Sequence, residues 1–159
     1  MDKRALIKLF EVQIASDLSI AKQAALHAHE AATHTESKAE DPYDTRGLEA
    51  SYLAGAQSKR AMELEELLLL FRHVDIQSFS PETPIASTAV VALTSDAKTI
   101  HYLLMPNGGG RQVTFEGKTF HVITPKSPLG EAVLGKKTGD EIEIEIQRKI
   151  KDYEITGVW

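Results

Sequence analysis

Residues 127–144 read SPLGEAVLGKKTGDEIEI. Ser127 places a hydroxyl where a helix N-cap needs an acceptor for an orphan backbone N–H. Pro128 suits the first helical position, where its missing N–H costs nothing, and Gly135 supplies a stop. The spacing therefore predicts one short helix. Directly after it, DEIEIEIQ alternates strictly: Ile142, Ile144 and Ile146 share one face, and Glu141, Glu143 and Glu145 share the other. A period of two with one apolar face predicts a half-exposed strand. A short helix followed by such a strand points to an α+β domain in which the helix covers an antiparallel sheet.

Segments of the same β character lie around it. Ile85–Leu93, Thr99–Met105, Arg111–Phe115, Lys118–Thr124 and Tyr153–Trp159 are each expected as strands, with a hairpin turn at Glu116–Lys118. The glycine run in MPNGGGRQ reads as a loop.

Upstream of about Ser80 the period changes. Ile7, Phe10, Ile14, Leu18, Ala21, Ala25, Ala28 and Ala32 recur at spacings of three and four, a heptad-like seam. Leu53, Ala56, Ala61, Leu64, Leu68 and Phe71 give a looser seam. If the turn centres near Asp41, the helices run antiparallel, with Ala28 near Leu53, Ile14 near Leu67 and Phe10 near Phe71. At ~1.5 Å per residue, arms of roughly 30 residues make a hairpin about 45 Å long. Periodicity alone leaves open a hairpin folded onto a larger bundle, or one used for dimerisation. SFSPETP marks a linker, so the expected organisation is a hairpin over 1–75, a linker over 76–84 and the α+β domain over 85–159.

Composition narrows the function. The 159 residues carry a formal net charge of −5 and no cysteine. Thiolate metal sites and disulfides are excluded. An acidic chain without a basic reading helix is not expected to read duplex DNA. With no membrane-length apolar run and no signal-peptide pattern, the expected location is cytoplasmic.

Local motifs for chemistry mostly fail. HAHEAATH, from His27 to His34, lacks the H-E-x-x-H spacing of a zinc protease. GRQVTFEGKT places Gln112 where a P-loop needs glycine. His101 and His121 fall on expected strands. The hairpin turn is different: AEDPYDTRG carries Glu40, Asp41 and Asp44, with Glu49 just beyond. Clustered carboxylates without lysines repel one another, yet they form an oxygen-rich surface suited to Mg²⁺. Solvated turn residues, with Asp44 capping the second helix, are the plain alternative.

Ser127, Pro128, Gly130, Ala132, Gly135, Lys136, Gly139 and Asp140 fit the pattern S-P-x-G-x-A-x-x-G-K-x-x-G-D. On these residues, and on Ala50 and Tyr52 in helix two, the chain resembles the GreA/GreB transcript-cleavage factors of bacterial RNA polymerase. The resemblance covers both parts in order: an all-α antiparallel coiled-coil hairpin and an FKBP-like α+β domain. It implies a transcription elongation factor, not an enzyme alone, whose coiled coil enters the polymerase's secondary channel. The acidic tip would there help hold Mg²⁺, retained mainly by the polymerase, and stimulate cleavage of backtracked RNA. The partners implied are RNA polymerase and, indirectly, the nascent RNA 3′ end; no membrane is implied, and the expected state is a monomer. Lys136, Lys137 and Arg111 are candidates for docking.

The tip departs from the family's G-D-L-S-E-N-A-E-Y. Aligned without gaps from Ala50 and Tyr52, the working Asp and Glu fall on Thr45 and Leu48. A small shift recovers acids: Asp41 and Asp44 keep a D-x-x-[DE] spacing and are the expected ligands, with Glu40 and Glu49 as alternatives. A regulator or inhibitor that occupies the channel without cleavage is the second reading. A peptidyl-prolyl isomerase or chaperone, from the fold alone, is the third.

Overall fold

The computed structural model describes residues 1–33, 45–146 and 149–159. Two helices come first, α1 (Lys3–Thr33) and α2 (Arg46–His73). They are followed by β1 (Val90–Ser95), β2 (Lys98–Leu104), β3 (Gln112–Phe115), β4 (Lys118–Ile123), α3 (Pro128–Val133), β5 (Glu141–Ile146) and β6 (Lys149–Val158). The chain forms two compact units, one of residues 11–72 and one that joins residues 1–10 to 73–159. The first turns of α1 thus belong with the sheet.

In the helical unit, the α1 seam is buried as its spacing predicts. Ile14, Leu18, Ala21 and Ala28 are buried, and Ala25 and Ala32 are half-buried. The α2 seam matches the expected one from Ala61 to Phe71 and departs from it in the first half of the helix. Ala54, Ala61, Leu64, Leu68 and Phe71 are buried, with Gln57 half-buried, at spacings of 3, 4, 3, 4 and 3. Leu53, expected inside, is 54% exposed, and Ala56 is exposed too. The reason is geometric. The expected set stepped five residues from Ala56 to Ala61, which turns a helix by about 500° and leaves the two ends about 140° apart. A seam continued from Ala61 at heptad spacing must pass through Gln57 and Ala54. Lys22 Nζ meets Glu65 Oε1 at 3.0 Å and ties the two arms, but both side chains are more than half exposed, so the pair adds little stability.

In the other unit, six strands form one sheet in the order β3-β4-β2-β1-β6-β5. Four of the five pairings are antiparallel, as expected; β2 and β4 are parallel. After β2 the chain crosses through the glycine loop to β3 at the sheet's edge. The β3–β4 hairpin then returns β4 alongside β2 in the same direction. Two-residue turns join β1 to β2 and β3 to β4, with Asp96 and Ala97 at φ 50° and 61°, and Glu116 and Gly117 at φ 48° and 74°. Positive φ at both central residues matches the twist of paired strands.

The stretch expected as a strand from Ile85 enters the sheet only at Val90. Ile85 instead exchanges backbone bonds with the loop after α3: its N–H donates to Lys136 O, and Gly135 N–H donates to Ile85 O, each at 2.8 Å. Thr88, at φ 70°, then turns the chain into β1. Val91, Leu93, Leu104 and Ile155 form the middle of a core that α3 covers through Val133. Ile142 and Ile144 point into it while Glu141, Glu143 and Glu145 face solvent, as the alternation predicts.

Candidate functional site

The sequence places its candidate chemistry at the start of α2 and before it. Glu40, Asp41 and Asp44, together with His34, lie outside the described residues. Thr45 immediately precedes the helix, and its carbonyl accepts the Glu49 N–H at 2.9 Å. The Thr45 hydroxyl donates to Glu49 Oε1 at 3.0 Å. A carboxylate held near a helix N-terminus is favoured by the exposed N–H groups and the dipole. Glu49 is therefore an oriented, solvent-facing carboxylate. Beside it, Leu48 is 56% and Tyr52 72% exposed, so the first turns of α2 present apolar surface next to a single acid.

Among the described residues, no group of three or more His, Cys, Asp or Glu side chains is arranged to hold a metal ion. Glu49 alone, with one oxygen already accepting from Thr45, does not make a resident cation site. His27 and His29 are exposed on α1.

The residues that carry the family pattern have structural roles. Ser127 Oγ accepts the Gly130 N–H at 3.1 Å and donates to Thr124 O at 2.7 Å. Gly130 needs its missing side chain, since a Cβ there would lie 1.9 Å from the Thr124 carbonyl oxygen. Asp140 Oδ2 accepts the Lys137 N–H at 2.8 Å and closes the turn. Gly139, at φ 91°, sends its N–H to Ile155 O at 2.8 Å, and Ile155 N–H returns to Asp140 O at 2.9 Å. These motif positions build the joint between α3 and β5. Of the docking candidates, Lys136 is exposed, while Lys137 and Arg111 are half-buried.

A cluster without any sequence signal lies at the start of α1. Asp2 caps the helix, its Oδ1 accepting the Ala5 N–H at 2.9 Å. The Lys3 ammonium donates to the carbonyls of Gln77, Thr88 and Trp159, and lies 4.6 Å from the centroid of the Phe79 ring. Burial pushes the Lys3 pKa below its usual range. Three acceptors and a ring face stabilise the cation against that desolvation. His101 is half-buried on β2, its ring 5.2 Å from Phe120 and 6.4 Å from Trp159. Burial, and then the nearby Lys118 charge, hold its pKa below the ordinary value. His121 lies against Tyr102, ring centroids 5.8 Å apart.

Residues 110–159 match the family described as transcription elongation factor, GreA/GreB, C-terminal. The chain is 27% identical to transcription elongation factor GreA of Rhodospirillum rubrum over 151 residues, spanning 93% of this chain and 89% of that protein. It is 35% identical to GreA of Streptococcus pyogenes serotype M5 over 79 residues, 48% of this chain and 44% of that one. Among solved structures, GreA factor homolog 1 (Gfh1) of Thermus thermophilus aligns at 18% identity and a TM-score of 0.40, over 94% of each chain.

Proposed function

We propose, from the likeness to GreA/GreB factors, that the chain is a transcription elongation factor of that type that binds RNA polymerase. The observation that carries the reading is the likeness to GreA along 93% of the chain, helices included, and not along the sheet alone. In this reading the hairpin of α1 and α2 enters the polymerase's secondary channel, and the acidic tip stimulates cleavage of backtracked RNA. Asp41 and Asp44 are the proposed carboxylates, with Glu40 and Glu49 as alternatives. They act through the polymerase, and the chain is not an enzyme by itself. Mg²⁺ belongs to the polymerase's own machinery, where it polarises phosphoryl oxygens and activates water. What this chain would add is oriented carboxylate oxygen.

One feature favours a second reading, in which the chain occupies the channel and slows the polymerase without cleavage. The two positions that align with the family's working acids are Thr45 and Leu48. Thr45 spends its hydroxyl on Glu49, and Leu48 exposes hydrocarbon. Neither supplies a carboxylate.

The test is a stalled, backtracked polymerase incubated with the protein and Mg²⁺. Shortened transcripts that can be re-extended are expected under the cleavage reading. Slowed nucleotide addition without shortening selects the second reading. No effect on the polymerase, and no co-migration with it, overturns both.

A further inference from the structure

Among the described residues, the sheet ends at β5, which pairs with β6 on one side and with no strand on the other. The Ile155 N–H donates to Asp140 O, so Glu141 and Glu154 face each other as a pair without mutual backbone bonds. By alternation along the ladder, Glu143 and Asp152 do the same. The N–H and C=O groups of Glu141, Glu143 and Glu145 therefore point away from β6, along the free edge. Sheets commonly close such an edge with a proline, a bulge or a very short strand. β5 has six residues, none of them proline, and its register with β6 runs without a shift.

Side chains set what this edge accepts. Glu141, Glu143 and Glu145 lie on the face opposite the buried Ile142 and Ile144, and their neighbours Glu154 and Asp152 on β6 share that face. All five carboxylates are exposed. Among the described residues, none of them takes part in an ion pair. Lys151 pairs in register with Ile144 and so lies on the other face. Like charges directly opposite each other across two strands destabilise a sheet. Protection of the edge accounts for the glutamates of β5, but not for Asp152 and Glu154, which sit on an interior strand.

The charges also choose the occupant. Any pairing of β5 with a second copy of β5 that keeps the isoleucines on one face sets glutamates against glutamates. Nucleic-acid phosphates are repelled as well. An extended protein segment with basic residues at alternate positions fits, because alternate residues recur at about 6.6 Å on both strands. Each basic side chain then meets the acidic face, and the segment's backbone takes up the outward N–H and C=O groups.

We propose that the free edge of β5 binds an extended basic segment of a partner protein by strand addition. Backbone bonds at Glu141, Glu143 and Glu145 hold the segment, and the five carboxylates select lysine or arginine at every second residue. The proposal does not depend on the action of the chain on RNA polymerase.

The experiment uses the full chain and a short synthetic peptide of alternating lysine and valine at physiological salt, followed by calorimetry and amide hydrogen exchange. Saturable binding is expected, with new protection at the amides of Glu141, Glu143 and Glu145. The amides of Ile142 and Ile144, which already bond to β6, should not change. A peptide of the same composition with its lysines in one block should bind more weakly and protect none of the three. Asp152→Asn with Glu154→Gln leaves the edge intact and should weaken binding about tenfold, taking each exposed charge contact as worth about threefold. Both side chains are exposed and their repulsion is relieved, so the melting temperature of this double variant should not fall below that of the parent. Absence of saturation at millimolar peptide, or undiminished binding by the double variant, would overturn the proposal. So would equal binding of the block peptide without new amide protection, which would reduce the contact to diffuse charge attraction. Concentration-dependent dimerisation that protects the same three amides would overturn it too, by making the edge a contact between copies.

Discussion

Lys3 Nζ donates to the main-chain carbonyl of Trp159 at 3.1 Å, across 156 residues of chain. The same ammonium reaches Thr88 O at 3.2 Å, and the Trp159 backbone pairs with Val90 in both directions, at 2.9 and 3.0 Å. One cation therefore fastens the start of α1 to the strand where the sheet begins and to the strand where it ends. Replacing Lys3 by Met keeps the aliphatic stem and removes the donor. Three carbonyls then lose a charged partner, so K3M is expected to destabilise the unit of residues 1–10 and 73–159 by about 1–3 kcal/mol. Urea unfolding followed by Trp159 fluorescence measures it. An unchanged midpoint would show that water replaces the ammonium without loss.

Gly130 and Gly55 form a contrast that tests the reading of the family motif. Gly130 sits where a Cβ would lie 1.9 Å from backbone oxygen, and backbone cannot move aside as a flexible side chain can. Gly130→Ala should therefore lose at least ~3 kcal/mol or abolish folding of the sheet. Gly55 lies exposed within α2 with nothing within 4 Å of an added Cβ. Gly55→Ala should stabilise the helical unit by about 0.5–1 kcal/mol, because it removes backbone freedom from the unfolded chain. Thermal melts of both variants decide whether S-P-x-G is kept for packing.

His101 gives the sheet a pH dependence of definite sign. Its folded pKa is lowered, first by burial and then by Lys118, so the unfolded chain takes up this proton at higher pH than the folded chain does. The contribution is fully present above the ordinary histidine pKa of about 6.5. It is lost as pH falls from there through the depressed folded value. His101→Gln should flatten that part of the acid-side stability curve. Lys118→Gln should raise the His101 pKa, read directly by NMR titration. Partial exposure keeps the effect small. A His101 pKa at or above the ordinary value would contradict the burial argument.

Local chemistry made α3 and β5 legible. Ser127, Pro128 and Gly135 mark a helix through caps only a few residues apart, and Ile142 and Ile144 announce their face by alternation. The phase of α2 was harder to read. Leu53 is a large apolar residue in a helix whose seam at that height is built from Ala54 and Gln57, so size misled where heptad spacing would not have. The parallel β2–β4 pair and the detour at Ile85 depend on partners distant in sequence, Lys136 among them, and no local pattern encodes those. Lys3 is the extreme case: its three acceptors are backbone carbonyls, which every residue possesses. At the candidate site, Glu49 was legible as an acid, but its bond to Thr45 was not.

The helix start offers a gain-of-function test that separates the two polymerase readings. If cleavage already depends on Asp41 and Asp44, replacing both by Ala should abolish transcript shortening and leave polymerase binding intact. If the chain is a non-cleaving regulator, the missing acids are at the positions now held by Thr45 and Leu48. Thr45→Asp with Leu48→Glu would then supply two carboxylates at a spacing of three, one turn apart on the same side of the chain. Both side chains are exposed, and acids in the first turn of a helix are favoured, so this variant should fold. It also removes the Thr45 hydroxyl that now donates to Glu49, and an Asp there would repel that carboxylate instead. Cleavage acquired only by the double variant would assign the parent to the non-cleaving class. Cleavage by the parent that disappears in Asp41→Ala with Asp44→Ala would assign it to the cleaving class and identify the shifted acids as its working pair.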